Sequence, residues 1–330
     1  MKEVAGRILV TGGAGFIGSA LVWALNQQGH ENILVCDVLG HDEKWKNLVP
    51  LRYADYIDAD DLLDAVDRGD DLGGVTKVFH LGACSATTET DAAYLMRNNF
   101  EYTKRLAHWS LDKGARFVYA SSAATYGDGE QGMDDVDEDI DRLRPLNMYG
   151  YSKHLFDLYA KRAGILDQIV GLKYFNVYGP NEGHKGDMRS VVDKAFGQIQ
   201  ETGGVKLFKS YRSDYEDGKQ MRDFHYVKDA IKMTLFLADQ KEANGLFNIG
   251  SGVAHTWVDL VEAIYAALDQ EPKIEFVDMP ESLKEKYQYY TKADIGKLRA
   301  AGYGDEVLTL KDAVADYAQN YLAVEKLLGE

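Results

Sequence analysis

The chain has 330 residues, with 37 Lys or Arg against 53 Asp or Glu, and its formal net charge is −16. This acidic balance argues against a nucleic-acid binder, which needs a basic surplus or stripe, and against a polybasic protein of membrane surfaces. A hydrophobic content of 45% with 27% charged residues is typical of a globular protein, in one large domain or two closely joined ones.

The start of the chain and its two cysteines favour a cytoplasmic location. The first apolar run, at 8–10, is too short for the hydrophobic region of a signal peptide. No stretch approaches the ~20 apolar residues that a membrane helix needs. Cys36 and Cys84 end apolar runs, and we expect them to be small core residues and not a disulfide.

Short apolar runs alternate with longer helical patterns in the first half of the chain. Five runs have the length and composition of strands buried on both faces of a parallel sheet: 7–11, 33–37, 77–81, 116–121 and 169–174. The intervening patterns of helical type lie at 15–28, 91–113 and 148–163. This alternation predicts an α/β fold with a doubly wound parallel (Rossmann) sheet and right-handed crossovers.

The regular alternation of strand and helix patterns ends after about Asn176. Glycine-punctuated loops and an isolated strand at 206–208 replace the alternation. Two later segments, 223–240 and 246–250, again have the patterns of a helix and a strand that could return to the first sheet.

We therefore predict two domains. A dinucleotide-binding Rossmann domain is expected over 1–175, with returns near 223–250, and a smaller α/β substrate-binding domain over 176–330. Two acidic runs, at 55–71 and 128–141, are expected to be solvated surface segments. No metal site is predicted, because spacing alone does not make carboxylates converge on a cation.

A glycine-rich turn follows the first predicted strand and opens the first predicted helix. Gly12, Gly15 and Gly18 are three residues apart, and Gly13 with the last two also fits the G-x-G-x-x-G spacing. Glycine serves here for a tight turn, for close backbone approach to phosphate and for close packing of helix on strand. The helix N-terminus then favours a pyrophosphate, so the motif predicts dinucleotide binding.

The identity of the dinucleotide depends on two residues after the second strand. Asp37 ends that strand, where a carboxylate can accept hydrogen bonds from a ribose hydroxyl. Its charge favours NAD, because it repels the 2′-phosphate of NADP. Lys44 lies in the following loop and could pair with that phosphate, so the residues by themselves allow either cofactor.

A tyrosine and a lysine lie one helical turn apart. Tyr149 and Lys153 form an i,i+4 pair on one face of the predicted helix. An adjacent ammonium lowers the pKa of a phenol and so suits it to act as a base near neutral pH. Upstream, Ser122 lies at the carboxyl end of the fifth strand, where ligands of open α/β sheets bind. A serine there can hydrogen-bond a reacting hydroxyl or carbonyl.

These motifs resemble the extended short-chain dehydrogenase/reductase family, whose members act on nucleotide-activated sugars. The resemblance covers essentially the whole chain and includes TGGAGFIG at 11–18, HLGACS at 80–85, SSAATYG at 121–127, YGYSK at 149–153 and YFNVYGP at 174–180. Two narrower segments, GHKG at 183–186 and TKADIGKLRAAGY at 291–303, are similar to the epimerases of this family that invert C6 of an ADP-activated heptose.

The resemblance implies an isomerase that transfers hydride transiently from C6 to a bound NADP, or alternatively NAD. It implies that Tyr149 and Lys185 are the two bases, that Lys153 lowers the pKa of the phenol and contacts the nicotinamide ribose, and that Ser122 orients the reacting oxygen. It further implies ADP-heptose as a small-molecule substrate and a homo-oligomer, a pentamer. The acidic charge balance predicts no nucleic-acid or membrane partner.

Further positions match the ligand contacts of the family. At the adenosine end of the cofactor they are Phe16, Ile17, Asp37, Val38 and Lys44, and along the rest of it Leu81, Gly82, Ala83, Cys84, Ser85, Asn98 and Val177. On the substrate side they are Asn176, Asp187, Lys194, Phe208, Lys209, Ser210, Arg222 and Tyr287. Arg222 is the strongest of these, because a diphosphate prefers a bidentate guanidinium.

The sequence departs from the family pattern at several positions. Val38 replaces an asparagine and Ala59 a lysine, which weakens the inference of NADP, while Asp187 replaces a serine and Lys194 a histidine. Alternative functions are a UDP-hexose 4-epimerase or another nucleotide-sugar epimerase. A non-catalytic NAD(P)-sensing protein on the same fold is a further alternative, which the presence of both Tyr149 and Lys153 disfavours.

Overall fold

A computed structural model describes residues 6–284 and 287–330. Within these residues the strands are, in chain order, β1 (Arg7–Thr11), β2 (Ile33–Asp37), β3 (Asp55–Asp58), β4 (Val75–His80), β5 (Arg116–Ser122), β6 (Val170–Tyr174), β7 (Asn176–Tyr178), β8 (Val205–Phe208), β9 (Met221–Arg222), β10 (Phe224–Tyr226), β11 (Gly245–Ile249), β12 (His255–Thr256) and β13 (Ile274–Val277).

The α-helices of the same residues are α1 (Phe16–Gln27), α2 (Ala59–Arg68), α3 (Ala92–Leu95), α4 (Tyr102–Asp112), α5 (Met148–Arg162), α6 (Val191–Thr202), α7 (Val227–Asp239), α8 (Trp257–Ala267), α9 (Glu281–Lys284), α10 (Gly296–Ala300) and α11 (Leu310–Tyr317). A π-helical turn, Met96–Glu101, joins α3 to α4. In the part of the chain described, no helix combines the length and apolarity needed to cross a membrane.

The main sheet has seven strands in the order β11-β6-β5-β4-β1-β2-β3, and every neighbouring pair is parallel. Its central strands are fully buried, as Leu9 and Val10 of β1 illustrate. Apolar clusters cover both faces, one under α1 and α7 and the other under α4 and α5. The prediction of a doubly wound parallel sheet is confirmed.

The parallel register places four strand ends along one edge of the sheet. Thr11 of β1 lies opposite His80 of β4, and Ser122 of β5 lies opposite Tyr174 of β6. Ligands of open α/β sheets bind at this carboxyl edge. The register therefore puts the glycine turn after β1 and the serine at the end of β5 on the same edge of the sheet, with β5 running three residues past the end of β4.

The acidic run at 55–71 forms regular structure that its composition does not suggest. Residues Asp55–Asp58 are the edge strand β3, half-buried beside β2, and α2 follows directly. An edge strand needs only one apolar side, and charge protects its open edge from pairing with other chains. The carboxylates of this run still face solvent, since Asp55, Asp60, Asp61, Asp64 and Asp67 are exposed, so the segment is a surface segment with regular structure.

The second acidic run, at 128–141, forms hydrogen bonds with β11, the strand at the other edge of the sheet. Leu246 donates its backbone N–H to Asp137 at 2.8 Å, and Asn248 donates its own to Asp135 at 2.8 Å. These two N–H groups point away from β6, so the carboxylates occupy the open side of β11. Lys297 also pairs with Asp137 at 2.9 Å. The segment 128–141 is therefore partly a structural strap and not only a solvated loop.

We expect Asp137→Ala to lower the free energy of unfolding by about 1–3 kcal/mol, because it leaves the Leu246 N–H without its acceptor and removes the carboxylate that pairs with Lys297. Urea denaturation measures the effect. Asp139→Ala is the matched control, since the half-exposed Asp139 side chain pairs, within the described residues, with exposed Arg142 alone, and its effect should stay within about 0.5 kcal/mol. Equal losses in both variants would contradict the proposed role of the strap.

Candidate active site

Two adjoining cavities lie along the carboxyl edge of the main sheet. Their volumes are about 440 and 400 Å³, and they share Phe16, Ile17, Leu81, Ala83, Ser85, Ala120, Lys185 and Met188. One extends over α5 and β6, and the other extends over the glycine turn toward Asp37. Together they form a continuous cleft of the size expected for a cofactor and a small substrate.

The glycine turn is shaped by close backbone contacts. Gly12 has φ +68°, and a Cβ built on it would lie 2.6 Å from the Gly82 nitrogen. A Cβ on Gly18 would lie 2.0 Å from the Gly12 carbonyl oxygen. Helix α1 begins at Phe16 with its N-terminus at the cavity and with no side-chain cap, so the first N–H groups of the helix lie where a pyrophosphate would fit. These residues fit a dinucleotide.

Asp37 holds the glycine turn and is itself neutralised by a lysine. Its carboxylate accepts the Ala14 N–H at 2.9 Å and the Val38 N–H at 2.8 Å, and Lys44 pairs with it at 3.0 Å. The carboxylate is therefore not an isolated charge at the adenosine end. The repulsion of a 2′-phosphate that the sequence alone suggests is reduced by this ion pair.

Tyr149 lies in the first turn of α5, which Asn147 caps by accepting the Gly150 N–H at 2.8 Å. Gly150 permits close packing, because a Cβ on it would lie 2.7 Å from the Ala124 carbonyl oxygen just after β5. Burial raises the pKa of the Tyr149 phenol, and hydrogen bonding from the Ser122 side chain opposes this rise. In the protein alone the phenol therefore lacks the lowered pKa that its spacing from Lys153 predicts.

Lys153 is buried and donates to the Ala120 carbonyl at 3.0 Å. Burial lowers its pKa to about 8, while the charge of Asp157 opposes that change. The ammonium is thus still the main form at pH 7. It lines the same cavity as Tyr149.

A buried ion pair supports this part of the site from behind. Asp157, one turn after Lys153 in α5, pairs with Lys173 of β6 at 3.1 Å, and both side chains are fully buried. Asp157 also accepts hydrogen bonds from Tyr119 and Ser121 of β5, each at 2.8 Å. The pair therefore ties α5 to the two strands that end at Ser122 and Tyr174.

Lys185 reaches the cavity from the opposite side. It lies in a short 3₁₀ turn, Gly183–Met188, and its ammonium lies 5.1 Å from the centre of the Phe16 ring. It lines both cavities. Burial lowers the pKa of Lys185, the charge of Glu182 opposes this, and the charge of Lys194 adds to it.

All four predicted catalytic residues, Ser122, Tyr149, Lys153 and Lys185, line the larger cavity, as does the predicted substrate residue Asn176. The predicted cofactor residues that line one or both cavities are Gly12, Gly15, Phe16, Ile17, Gly18, Asp37, Lys44, Leu81, Gly82, Ala83, Ser85 and Val177. Among the described residues, the predicted ones that line neither cavity are Val38, Cys84, Asn98, Asp187, Lys194, Phe208, Lys209, Ser210, Arg222 and Tyr287.

Arg222 is buried at the border of the larger cavity. Its guanidinium lies between the rings of Trp257 and Tyr287, 5.7 and 5.1 Å from their centres. It donates to the carbonyls of Met221 and Gln288. Trp257 and Gln288 line the cavity, whereas Arg222, which contacts both of them, does not.

The remaining outlying residues have local partners. Lys209 pairs with exposed Asp278 at 3.1 Å, and Lys194 donates to the Asp187 carbonyl. Asn98 donates to the Tyr94 carbonyl at 2.9 Å. The side chain of its neighbour Asn99 accepts the Cys84 N–H at 2.9 Å and donates to the Cys84 carbonyl at 3.0 Å.

Sequence reasoning missed Asn47 and Glu182. The Asn47 amide donates to the Ala14 carbonyl of the glycine turn at 3.0 Å and to the Asn181 carbonyl beside the Lys185 turn at 3.1 Å. It thus links the two segments that flank the cleft. Nothing in its sequence context signals this role, whereas Glu182 adjoins a motif already singled out. In the described ranges, no cluster of three or more His, Cys, Asp or Glu side chains has the geometry to hold a metal ion.

A doubly wound sheet with a glycine turn after β1 and a Tyr-x-x-x-Lys helix at its carboxyl edge defines a dinucleotide-binding protein of the short-chain dehydrogenase type. Residues 8–250 match the model of the NAD dependent epimerase/dehydratase family. The chain belongs to this family, which confirms the resemblance and the prediction of a nicotinamide-dependent enzyme.

Comparison with individual relatives is more specific than the match to the family. The chain is 56% identical over 315 residues, 96% of this chain and 98% of the relative, to an ADP-L-glycero-D-manno-heptose-6-epimerase of Nitratidesulfovibrio vulgaris. It is 48% identical over 327 residues to one of Fusobacterium nucleatum, covering 96% of this chain and 98% of that relative. The crystal structure of the Helicobacter pylori ADP-L-glycero-D-manno-heptose-6-epimerase superposes with a TM-score of 0.80 at 28% identity, covering 96% of each chain. These relatives are isomerases, and the prediction of an isomerase is confirmed.

We expect Gly18→Ala to abolish retention of the nicotinamide cofactor, because the added methyl would lie 2.0 Å from the Gly12 carbonyl and deform the turn. Absorbance and fluorescence of the purified protein measure the bound cofactor. Gly197→Ala is the control, since its methyl meets nothing within 4 Å on α6, and it should retain the cofactor. Normal cofactor content in Gly18→Ala would contradict the assignment of the turn.

Proposed function

We propose that the protein interconverts ADP-D-glycero-D-manno-heptose and ADP-L-glycero-D-manno-heptose by inversion at C6. The observation that carries the proposal is the convergence of Tyr149 and Lys185, from two separate segments, on one cavity beside the glycine turn. Inversion through a transient carbonyl requires a proton acceptor on each face of the reacting carbon. The identity of 56% to a protein named for this activity supports the choice of substrate.

In this proposal, side chains of the protein accept and donate the proton of the C6 hydroxyl. Bound in the cleft, a nicotinamide supplies reversible hydride transfer at C6. Tyr149 accepts the proton of the sugar hydroxyl on one face and Lys185 donates or accepts it on the other. Ser122 orients the same oxygen, and the Lys153 ammonium stabilises the phenolate form of Tyr149. Lys153 is buried and the other three groups are partly buried, which strengthens each electrostatic contact.

We also propose NADP as the cofactor, with NAD the alternative. Lys44 supports this choice, because it neutralises Asp37 at 3.0 Å and places an ammonium at the adenosine end of the cleft. An ammonium there pairs with a 2′-phosphate, and the neutralised Asp37 repels it less. Val38, half-exposed at the same end, offers no polar side chain to a ribose.

We expect Tyr149→Phe to slow conversion of one ADP-heptose epimer into the other by about 10²–10⁴-fold, because the phenol that moves the proton is gone. Separation of the two epimers after timed incubation measures the rate. Tyr151→Phe is the matched control, since this tyrosine lies two residues further on α5 and is 45% exposed.

Full activity in Tyr149→Phe would contradict its assignment as a base. Absence of epimer interconversion by the unmodified protein, together with turnover of a UDP-hexose, would replace the proposed substrate by that of a 4-epimerase.

We expect Lys44→Ala to weaken NADP binding by about tenfold to hundredfold and NAD binding much less, because only NADP loses a charged partner and meets an uncompensated Asp37. Titration of the apoprotein with each nucleotide measures the two affinities. Lys46→Ala, which removes an exposed lysine paired with Glu43 in the same turn, should leave both affinities unchanged. An equal loss for NADP and NAD in Lys44→Ala would contradict the preference.

A further inference from the structure

A buried glutamate lies at the base of the segment that carries Lys185. We call residues 179–190, between β7 and α6, the lysine loop. Glu182 within this loop is fully buried, although its neighbour Gly183 is exposed. A buried carboxylate is costly unless several donors satisfy it, so its surroundings indicate what it does.

The Glu182 carboxylate joins the two ends of the lysine loop. One oxygen accepts the Gly179 N–H at 3.2 Å, where the chain leaves β7, and the Ser190 hydroxyl at 2.7 Å. The other oxygen accepts the Ser190 N–H at 2.6 Å. Ser190 is the N-cap of α6, so the same side chain closes the loop and fixes the start of the next helix.

The loop is also anchored to the cofactor side of the cleft. Asn181, with φ +76°, donates to the Ser19 hydroxyl of α1 at 3.0 Å and accepts the Leu328 N–H at 2.9 Å. The base of the loop is thus held on several sides, whereas Gly183 and Gly186 flank the turn that presents Lys185. The position of the ammonium therefore depends on this base.

Glu182 lies one turn before Lys185, whose backbone N–H donates to the Glu182 carbonyl at 3.0 Å, and its carboxylate is a negative charge that acts on the Lys185 ammonium. Its charge opposes the effect of burial, which lowers the pKa of Lys185, and the charge of Lys194 acts in the same direction as burial. His184 is adjacent, and burial lowers its pKa, so it is neutral at pH 7. Burial raises the pKa of Glu182, and Ser190, Lys185 and Gly179 all oppose this.

We propose that Glu182 is a positioning residue for the reaction: its carboxylate clamps both ends of the lysine loop and supplies the charge that balances Lys185 in the cleft. This inference rests on the proposed function, because it takes Lys185 to be the second base. It does not place Glu182 in contact with substrate.

Two measurements on Glu182→Gln test the proposal. The first is the pH midpoint of Lys185 acetylation by acetic anhydride, followed by peptide mass spectrometry, which requires no turnover. We expect the midpoint to fall to lower pH, because the amide carries no charge. The second is the pH profile of kcat, whose limb from Lys185 should move to lower pH by the same amount, with kcat reduced at least about tenfold by the loosened loop.

Two further variants separate charge from geometry. Glu182→Asp keeps the charge but is too short to reach both Gly179 and Ser190, so kcat should fall while the acetylation midpoint changes little. Asp193→Asn is the control, because it removes a carboxylate from the first turn of α6 that pairs with Arg189 at 2.6 Å, and the Lys185 midpoint should not move.

An unchanged midpoint in Glu182→Gln, or a shift as large in Asp193→Asn, would overturn the electrostatic part of the proposal. Full kcat in Glu182→Asp would overturn the clamp, and this test stands even if Glu182→Gln does not fold. A midpoint that falls while the kcat profile stays in place would support the role of Glu182 and instead contradict the assignment of Lys185 as second base.

Discussion

The site depends on the parallel register of four strands. Thr11 lies opposite His80, so β1 and β4 end together, and Ser122 lies opposite Tyr174, so β5 and β6 end together. Because His80 lies opposite Tyr119, the second pair runs three residues further along the same edge. Helix α5 can then place Tyr149 against the end of β5, and the turn after β1 can approach the end of β4. That approach is so close that a Cβ on Gly12 would lie 2.6 Å from the backbone nitrogen of Gly82, which follows β4. The strand register, the glycine turn and the helix α5 that carries Tyr149 therefore depend on one another geometrically.

Charge is distributed in a way that the net value of −16 conceals. Several carboxylates serve as internal acceptors: Asp137 holds an edge strand, Asp157 pairs with Lys173 and Glu182 closes the lysine loop. The cleft, by contrast, is lined by Lys44, Lys153, Lys185 and Arg189 against Asp37 and Asp42. The charge of its lining is therefore positive, opposite in sign to that of the whole molecule, which suits the anionic ligands that we propose.

Apolar runs and glycine spacing predict β1, β2, α5 and the cofactor turn well, because burial on both faces and a tight turn each leave a strong local pattern. The sequence does not reveal β3, whose edge position lets acidic residues form a strand. It also does not reveal that Lys185 lines the same cavity as Tyr149, or that the Arg222 guanidinium donates to the Gln288 carbonyl, since both depend on the packing of distant segments. The family resemblance predicted the role of Lys185, whereas only the structure identifies the residues around it.

The central claim is that a hydride leaves C6 and returns to the same carbon within one cleft. Incubation of the holoenzyme with one epimer of ADP-heptose that carries deuterium at C6, in ordinary water, tests it most directly. Mass spectrometry should find the other epimer with its deuterium retained, because the hydride never exchanges with solvent. Loss of the label to water during interconversion would show inversion by proton abstraction at carbon and would contradict the claim.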